Sequence, residues 1–191
     1  MKIKGVAFDL EGTLVDVEWA HHEGHIYAAR EVGVHLTLKT AISKIPHFIG
    51  GPDEKIAEEI WQLSDKGKSV NEILGSDTVH FHRFLEKMEI KPRIGVLEVI
   101  AELRRLKIAF AVGSLDRAER AYHLLDRSGI RSHFDHIVLR EDVELVKPAP
   151  DVYLKTAERM GIEPSEQLVF EDSPRGVIAA IAAGSMAIGT T

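Results

Sequence analysis

Val6-Ala7-Phe8-Asp9-Leu10-Glu11-Gly12-Thr13 decides the reading of this chain: three apolar residues run into an aspartate, and a second acid follows two positions later, next to a glycine. A short apolar run of this kind reads as a buried strand, and Asp9 falls where that strand breaks into a turn. Open parallel sheets bind their ligands at the carboxyl ends of their strands, so a carboxylate there is rigidly held and faces solvent-accessible chemistry. Of two acids two positions apart, one can serve as a nucleophile and the other as a proton donor.

Outward from this strand, the pattern has two regimes. Glu18 to Glu31, Asp53 to Leu63 and Ser69 to Glu89 read as consecutive helices, with Gly50-Gly51-Pro52 as a turn between the first two. After Lys91-Pro92, helices and strands alternate: helix Val96 to Leu106, strand Ile108 to Val112, helix Asp116 to Ser128, strand Ile137 to Leu139, helix Asp151 to Met160, strand Leu168 to Phe170, helix Pro174 to Ala183. Alternation with short connections predicts an α/β fold, a doubly wound parallel sheet. Residues 16–90 then form an all-α insertion, with 1–15 and 91–191 making the sheet domain.

Composition narrows the function classes. The 191 residues, 45% of them apolar, suffice for a real core. A formal charge of −6 without a basic stripe argues against nucleic acid or an anionic membrane as partner. A small anionic substrate stays compatible, because local cations outweigh a global sign. The absence of cysteine excludes disulfides, thiolate zinc sites and a Cys nucleophile. No apolar run approaches a membrane span, and Met1 to Gly5 leads straight into the strand, so a cytoplasmic protein is expected.

Further polar residues stand at the ends of the later strands: Ser114 after Val112-Gly113, Lys147 before Pro148-Ala149-Pro150, and Glu171-Asp172 after Leu168-Val169-Phe170. In a parallel sheet these ends share one edge, so Asp9, Glu11, Ser114, Lys147, Glu171 and Asp172 are expected to converge. Asp9 and Asp172 are hard oxygen donors suited to Mg²⁺. Ser114 and Lys147 offer a hydroxyl and a fixed charge to phosphate oxygens. The combination reads as phosphoryl transfer.

Four stretches, Phe8 to Asp16, Val112 to Ser114, Val146 to Tyr153 and Phe170 to Gly176, occur in the order and spacing of the four motifs of the haloacid dehalogenase superfamily. The chain resembles the branch of small phosphatases and β-phosphoglucomutase that carries a helical cap. That resemblance implies a Rossmann-like core with a mobile cap, dependence on Mg²⁺, and an aspartyl-phosphate intermediate on Asp9. It further implies Mg²⁺ held by Asp9, the main-chain carbonyl of Glu11 and Asp172, with Glu171 supporting from beside it. Ser114, Lys147 and the amides near Leu10 and Glu11 would hold the peripheral oxygens. Glu11 would protonate the leaving group and then activate water. The expected substrate is a small phosphorylated metabolite such as a sugar phosphate. Dehalogenation is disfavoured, since these residues assemble a phosphate and metal site that it does not need.

Glu11 departs from the commoner aspartate of the family, and its added methylene moves the acid by about a bond length. A displacement near 1 Å can change a rate about a hundredfold. Enolase-phosphatases of the same superfamily resemble this chain in having Asp-x-Glu-Gly-Thr here, so hydrolysis is compatible with glutamate. A catalytically weak phosphate-binding module is the non-enzymatic alternative. The mutase alternative ranks lower: where the mutase carries a Lys-Gly-x-x-Arg segment, this chain has Ile49-Gly50-Gly51-Pro52-Asp53, lacking both basic residues.

In the insertion, His21 lies twelve residues after Asp9 and matches a mutase histidine near the acid/base group, which makes it a substrate-binding candidate. Arg117, just past the second motif, is another. His21 and His25 share a helical face, but His22 stands where the zinc-protease motif needs glutamate, and the reading is a polar surface instead of a zinc site. Trp19 and Trp61 read as helical core. The last apolar run ends close to Thr191, earlier than in related proteins, leaving an expected open sheet edge and a monomer or homodimer.

Overall fold

The computed structural model describes residues 2–49 and 51–190. Met1 and the Gly50 of the expected turn lie outside the described residues. The chain divides into two compact units, residues 1–16 with 90–191, and residues 17–89.

In the first unit, β1 (Gly5–Phe8) is the centre of a five-stranded sheet, with β2 (Ala109–Gly113), β3 (His136–Val138), β4 (Gln167–Glu171) and β5 (Met186–Gly189) in the order β3-β2-β1-β4-β5. Every pairing is parallel. All four residues of β1 are buried, as a strand covered on both faces requires. The chain winds outward through β2 and β3 and then returns to the other side of β1 with β4, so β1 and β4 flank the point where strand order reverses. Crevices open there in such sheets. Phe8 is level with Val112 and with Phe170, which sets the ends of β1, β2 and β4 at one height.

Apolar packing keeps that edge in place. α7 (Asp151–Met160) and α8 (Pro174–Ala182) press Val152, Tyr153, Ala179 and Ala180 onto Ala7, Val138 and Val169. Phe8 stacks on Phe170 at 5.3 Å between centroids, and meets Phe134 edge-on at 6.3 Å. α5 (Val96–Leu106) and α6 (Ala118–Arg127) complete this unit's longer helices. α6 starts two residues later than Asp116, because the Ser114 hydroxyl accepts the Asp116 N–H and Arg117 is extended at ψ 150°.

The second unit contains α1 (Glu18–Glu31), α2 (Leu38–Lys44), α3 (Asp53–Leu63) and α4 (Val70–Leu85). Its core gathers Ile26, Phe48, Ile56, Ile60 and Ile73. α2 was not foreseen: seven residues are too few for a periodicity, and what stabilises it is a reciprocal Thr37–Thr40 cap. α4 begins after Ser69, whose hydroxyl accepts the Glu72 N–H, and it stops four residues short of Glu89. Trp61 packs on the core, whereas Trp19 is 50% exposed, its ring perpendicular to that of Phe84 at 5.4 Å, so the core reading fails for Trp19. Among the described residues no helix is long and apolar enough to cross a membrane.

α1 carries a glycine in its interior, a position that ordinarily weakens a helix by about 0.5–1 kcal/mol relative to alanine. At Gly24 an added Cβ would lie 2.7 Å from Asp77 Oδ1 and 3.2 Å from the Phe81 N, both on α4. The glycine lets two helices approach around a buried carboxylate. Gly24→Ala is therefore expected to destabilise the protein by about 1–3 kcal/mol despite its better helix propensity, as read by urea unfolding.

Candidate active site

The end of β1 delivers Asp9 to the reversal point, where its N–H donates to the Phe170 carbonyl of β4 at 3.0 Å. The following loop closes on itself. Leu10 accepts the N–H groups of Leu14 and Val15 at 2.9 and 3.0 Å, and Gly12 donates to Val15 at 2.8 Å. Gly12 has φ +77°, and a Cβ on it would fall 2.1 Å from Asp172 Oδ2, so the turn brings backbone against that carboxylate in a way only glycine allows. Arg93 donates to the Gly12 carbonyl, and Thr13 donates to Asp172 Oδ1 at 3.3 Å. Leu10 itself is wholly buried.

Lys147 ties the centre together. Its buried ammonium donates to Asp9 Oδ1 at 2.5 Å, to Glu171 Oε2 at 2.7 Å and to the Gly113 carbonyl at 3.4 Å, linking the ends of β1, β4 and β2. Arg175 grips the Lys147 carbonyl at 2.6 Å. Glu171 also accepts from the Tyr153 hydroxyl and from the Ser173 N–H and hydroxyl, at 3.2 and 2.8 Å. A Cβ on Gly176 would sit 1.9 Å from Glu171 Cδ, so α8 starts directly against this side chain. With four donors on two oxygens, Glu171 is an internal anchor more than an open ligand.

The electrostatics follow from three acids facing one ammonium. Burial pushes the Asp9 carboxyl well above the usual range, opposed by Lys147 and reinforced by Glu171 and Asp172. Asp172 is raised as well, by partial burial and then by Glu171. Burial would also raise Glu171, but the Lys147 charge and the hydrogen bonds from Lys147, Tyr153 and Ser173 hold it below. Burial opposes the charge on Lys147, and the surrounding acids outweigh it and push that ammonium well up. Asp9, Glu171 and Asp172 offer oxygen atoms within 4.8 Å of one another. A surplus of negative charge on hard oxygens is the donor chemistry that fits a divalent ion such as Mg²⁺.

Ser114 follows β2, is buried, and approaches Asp116 Oδ2 at 3.2 Å. Glu11 is met by a residue that sequence reasoning missed: Arg120 of α6 forks onto it, Nε to Oε1 at 2.8 Å and the second guanidinium nitrogen to Oε2 at 2.7 Å. Both Glu11 oxygens accept, so this geometry belongs to the carboxylate form. Arg120 also approaches Asp116 Oδ1 at 3.5 Å. No local pattern marks Arg120, which is one of several charges on an amphipathic helix 109 residues from its partner. Arg117 is exposed at the start of α6. His21 lies in the helical unit, its ring 4.2 Å from that of Phe81. His25, expected on a polar surface, is instead 3% exposed, because α1 turns that face onto α4 and Phe48.

Removing Lys147 leaves two buried carboxylates uncompensated. Lys147→Met is expected to lower stability by about 3–5 kcal/mol near neutral pH. Carboxyls whose folded pKa is raised destabilise the fold once pH exceeds their unfolded value of about 4, so the deficit should shrink as pH falls toward that value. Urea unfolding across the acid range measures both.

The chain matches the haloacid dehalogenase-like hydrolase family over residues 3–184. It is 33% identical over 185 residues to fructose-1-phosphate phosphatase YqaB of Escherichia coli, covering 96% of this chain and 94% of that protein. It is 34% identical over 197 residues to hexitol phosphatase A of the same organism, covering 96% and 81%. Its fold superposes on CbbY from Rhodobacter sphaeroides, solved in complex with xylulose-(1,5)bisphosphate, with a TM-score of 0.71, 26% identity, and coverage of 98% and 86%. Parallel sheet, strand-end acids and these likenesses agree, and the chain belongs to the haloacid dehalogenase-like hydrolases, in their β-phosphoglucomutase-like phosphatase branch.

Proposed function

We propose that this protein is a Mg²⁺-dependent phosphatase of small phosphorylated sugars or related monoesters, working through an aspartyl-phosphate on Asp9. The observation that carries the reading is the buried Lys147 ammonium joining Asp9, Glu171 and the Gly113 carbonyl at the carboxyl ends of β1, β4 and β2. Relatives acting on fructose 1-phosphate and hexitol phosphates support the substrate class. Asp9, Asp172 and the main-chain carbonyl of Glu11 would hold the metal, with Glu171 steadying Lys147 and the strand end beside it. When bound, Mg²⁺ would offset the repulsion between Asp9 and a phosphate dianion.

The chain's own groups divide the chemistry. An Asp9 oxygen attacks phosphorus as the bond to the leaving oxygen breaks, and Glu11 supplies the proton that the leaving oxygen takes. Water then attacks the phosphorus of the aspartyl-phosphate, giving its proton to Glu11 and freeing phosphate and Asp9. Lys147 and the Ser114 hydroxyl hold the phosphoryl oxygens through the transition state, as do the amides at Leu10 and Glu11. Arg120 acts as a positioning residue, fixing the longer Glu11 side chain in one direction. Its fork must loosen for Glu11 to carry a proton. His21 and Arg117 are substrate contacts to be tested, not part of this chemistry.

Hydrolysis of fructose 1-phosphate, hexitol phosphates and an aryl phosphate, with and without Mg²⁺, tests the reading. Asp9→Asn should abolish turnover, and Glu11→Gln should lower kcat by about 10²–10⁴-fold. Phosphate binding without turnover in the wild type would favour the weak binding module. Arg120→Lys, which keeps charge but loses the fork, should lower kcat by about 10–100-fold with a smaller change in KM, and should shift the pH profile of kcat. Because Asp9 and Asp172 are raised, protons must leave as the ion enters, and Mg²⁺ affinity should climb with pH through the acid range. Calorimetry in buffers of different ionisation enthalpy counts those protons, and a pH-independent affinity would refute this.

A further inference from the structure

The helical unit contains a second cluster of potential ligands. His21 and His25 on α1 and Asp53 at the start of α3 present ligand atoms within 4.8 Å of one another. His25 is buried, and its Nδ1 lies 3.0 Å from Oδ1 of Asp77, which is 4% exposed within the α1–α4 packing. Its other nitrogen, Nε2, lies 3.9 Å from Asp53 Oδ1.

Several features show that this cluster is built. A carboxylate inside a helical core is costly unless its charge is used. Asp77 is nevertheless accommodated, and Gly24 is the residue that makes room for it. Asp77 Oδ1 has no well-aligned hydrogen-bond donor, so the helical core alone does not satisfy it. His25 stands between two carboxylates, its Nδ1 toward Asp77 and its Nε2 toward Asp53. A carboxylate behind a histidine is the arrangement that fixes tautomer and ring direction in metal sites. Aromatic rings flank the cluster, Phe81 against His21 at 4.2 Å and Phe48 against His25 at 5.7 Å between centroids.

We infer that His21, His25 and Asp53 form a second metal site, oriented by Asp77 and selective for a borderline divalent ion such as Zn²⁺. Two imidazoles and one carboxylate suit zinc, while the all-oxygen cluster at Asp9 suits Mg²⁺. Four-coordinate zinc with bonds of about 2.0–2.1 Å sets ligand atoms about 3.3 Å apart. The 3.9 Å between His25 and Asp53 closes to that value with a small rotation of the half-exposed Asp53. Three protein ligands leave a fourth position for water or for an oxygen of a bound molecule. The site lies wholly within residues 17–89 and uses none of the residues that carry a step of the phosphatase chemistry.

Zn²⁺ titration of the full chain, with Mg²⁺ in excess to occupy the oxygen cluster, tests this by calorimetry and thermal shift. Co²⁺ in place of zinc adds the visible absorption that reports coordination geometry. One Zn²⁺ per chain is expected in wild type and equally in Asp9→Asn. Asp53→Asn and His21→Gln, at positions not needed for the core, should each weaken binding at least about tenfold, and Asp77→Asn by about 10–100-fold. Absence of Zn²⁺ binding in the wild type would overturn the proposal, as would binding that Asp53→Asn and His21→Gln leave unchanged.

Discussion

One ammonium group governs the arrangement of this protein's chemistry. Lys147 stands between Asp9 and Glu171, at 2.5 and 2.7 Å, with all three side chains buried. A buried charge is tolerated only when paired and hydrogen-bonded, and breaking such a pair is far costlier than never having formed it. The carboxyl ends of β1 and β4 are therefore held together electrostatically as well as by the backbone ladder. Around this link, Tyr153 and Ser173 saturate Glu171, and Arg175 fixes the main chain of Lys147 itself. Only then are Asp9 and Asp172 left with oxygen atoms to offer.

The same accounting explains why the cluster suits a divalent ion. One cation among three acids leaves Asp9 and Asp172 raised, a condition that relaxes when positive charge enters. A fully neutralised cluster would be more stable alone and less receptive. Glycine serves the geometry at two points: Gly12 admits Asp172 against its backbone, and Gly176 admits Glu171. Side chains at either place would displace the acids that the site is made of.

Much of this was legible in the chain. Asp9, Ser114, Glu171 and Asp172 stand at or just past strand ends, which a parallel sheet places on one edge, whereas Lys147 reaches that edge from the loop between β3 and α7. Local order in sequence is thus enough to predict their convergence. Arg120 was not legible, because it is a surface-type residue on a helix and its meeting with Glu11 depends on how α6 packs. Asp53 and Asp77 were equally hidden, for their relation to His25 exists only once three helices have assembled. Trp19 misled for the converse reason: apolar character predicts burial only if the residue lies on the packed face of its helix.

The sequence by itself determined the strand-end inventory, the parallel α/β core and the helical insertion, since periodicity and turn chemistry act over a few residues and need no distant partner. Tertiary structure alone decided which charges meet. The Arg120 fork on Glu11 spans 109 residues and the Lys147–Asp9 pair spans 138, and contacts of that reach are set by the packing of whole elements, not by neighbours in the chain.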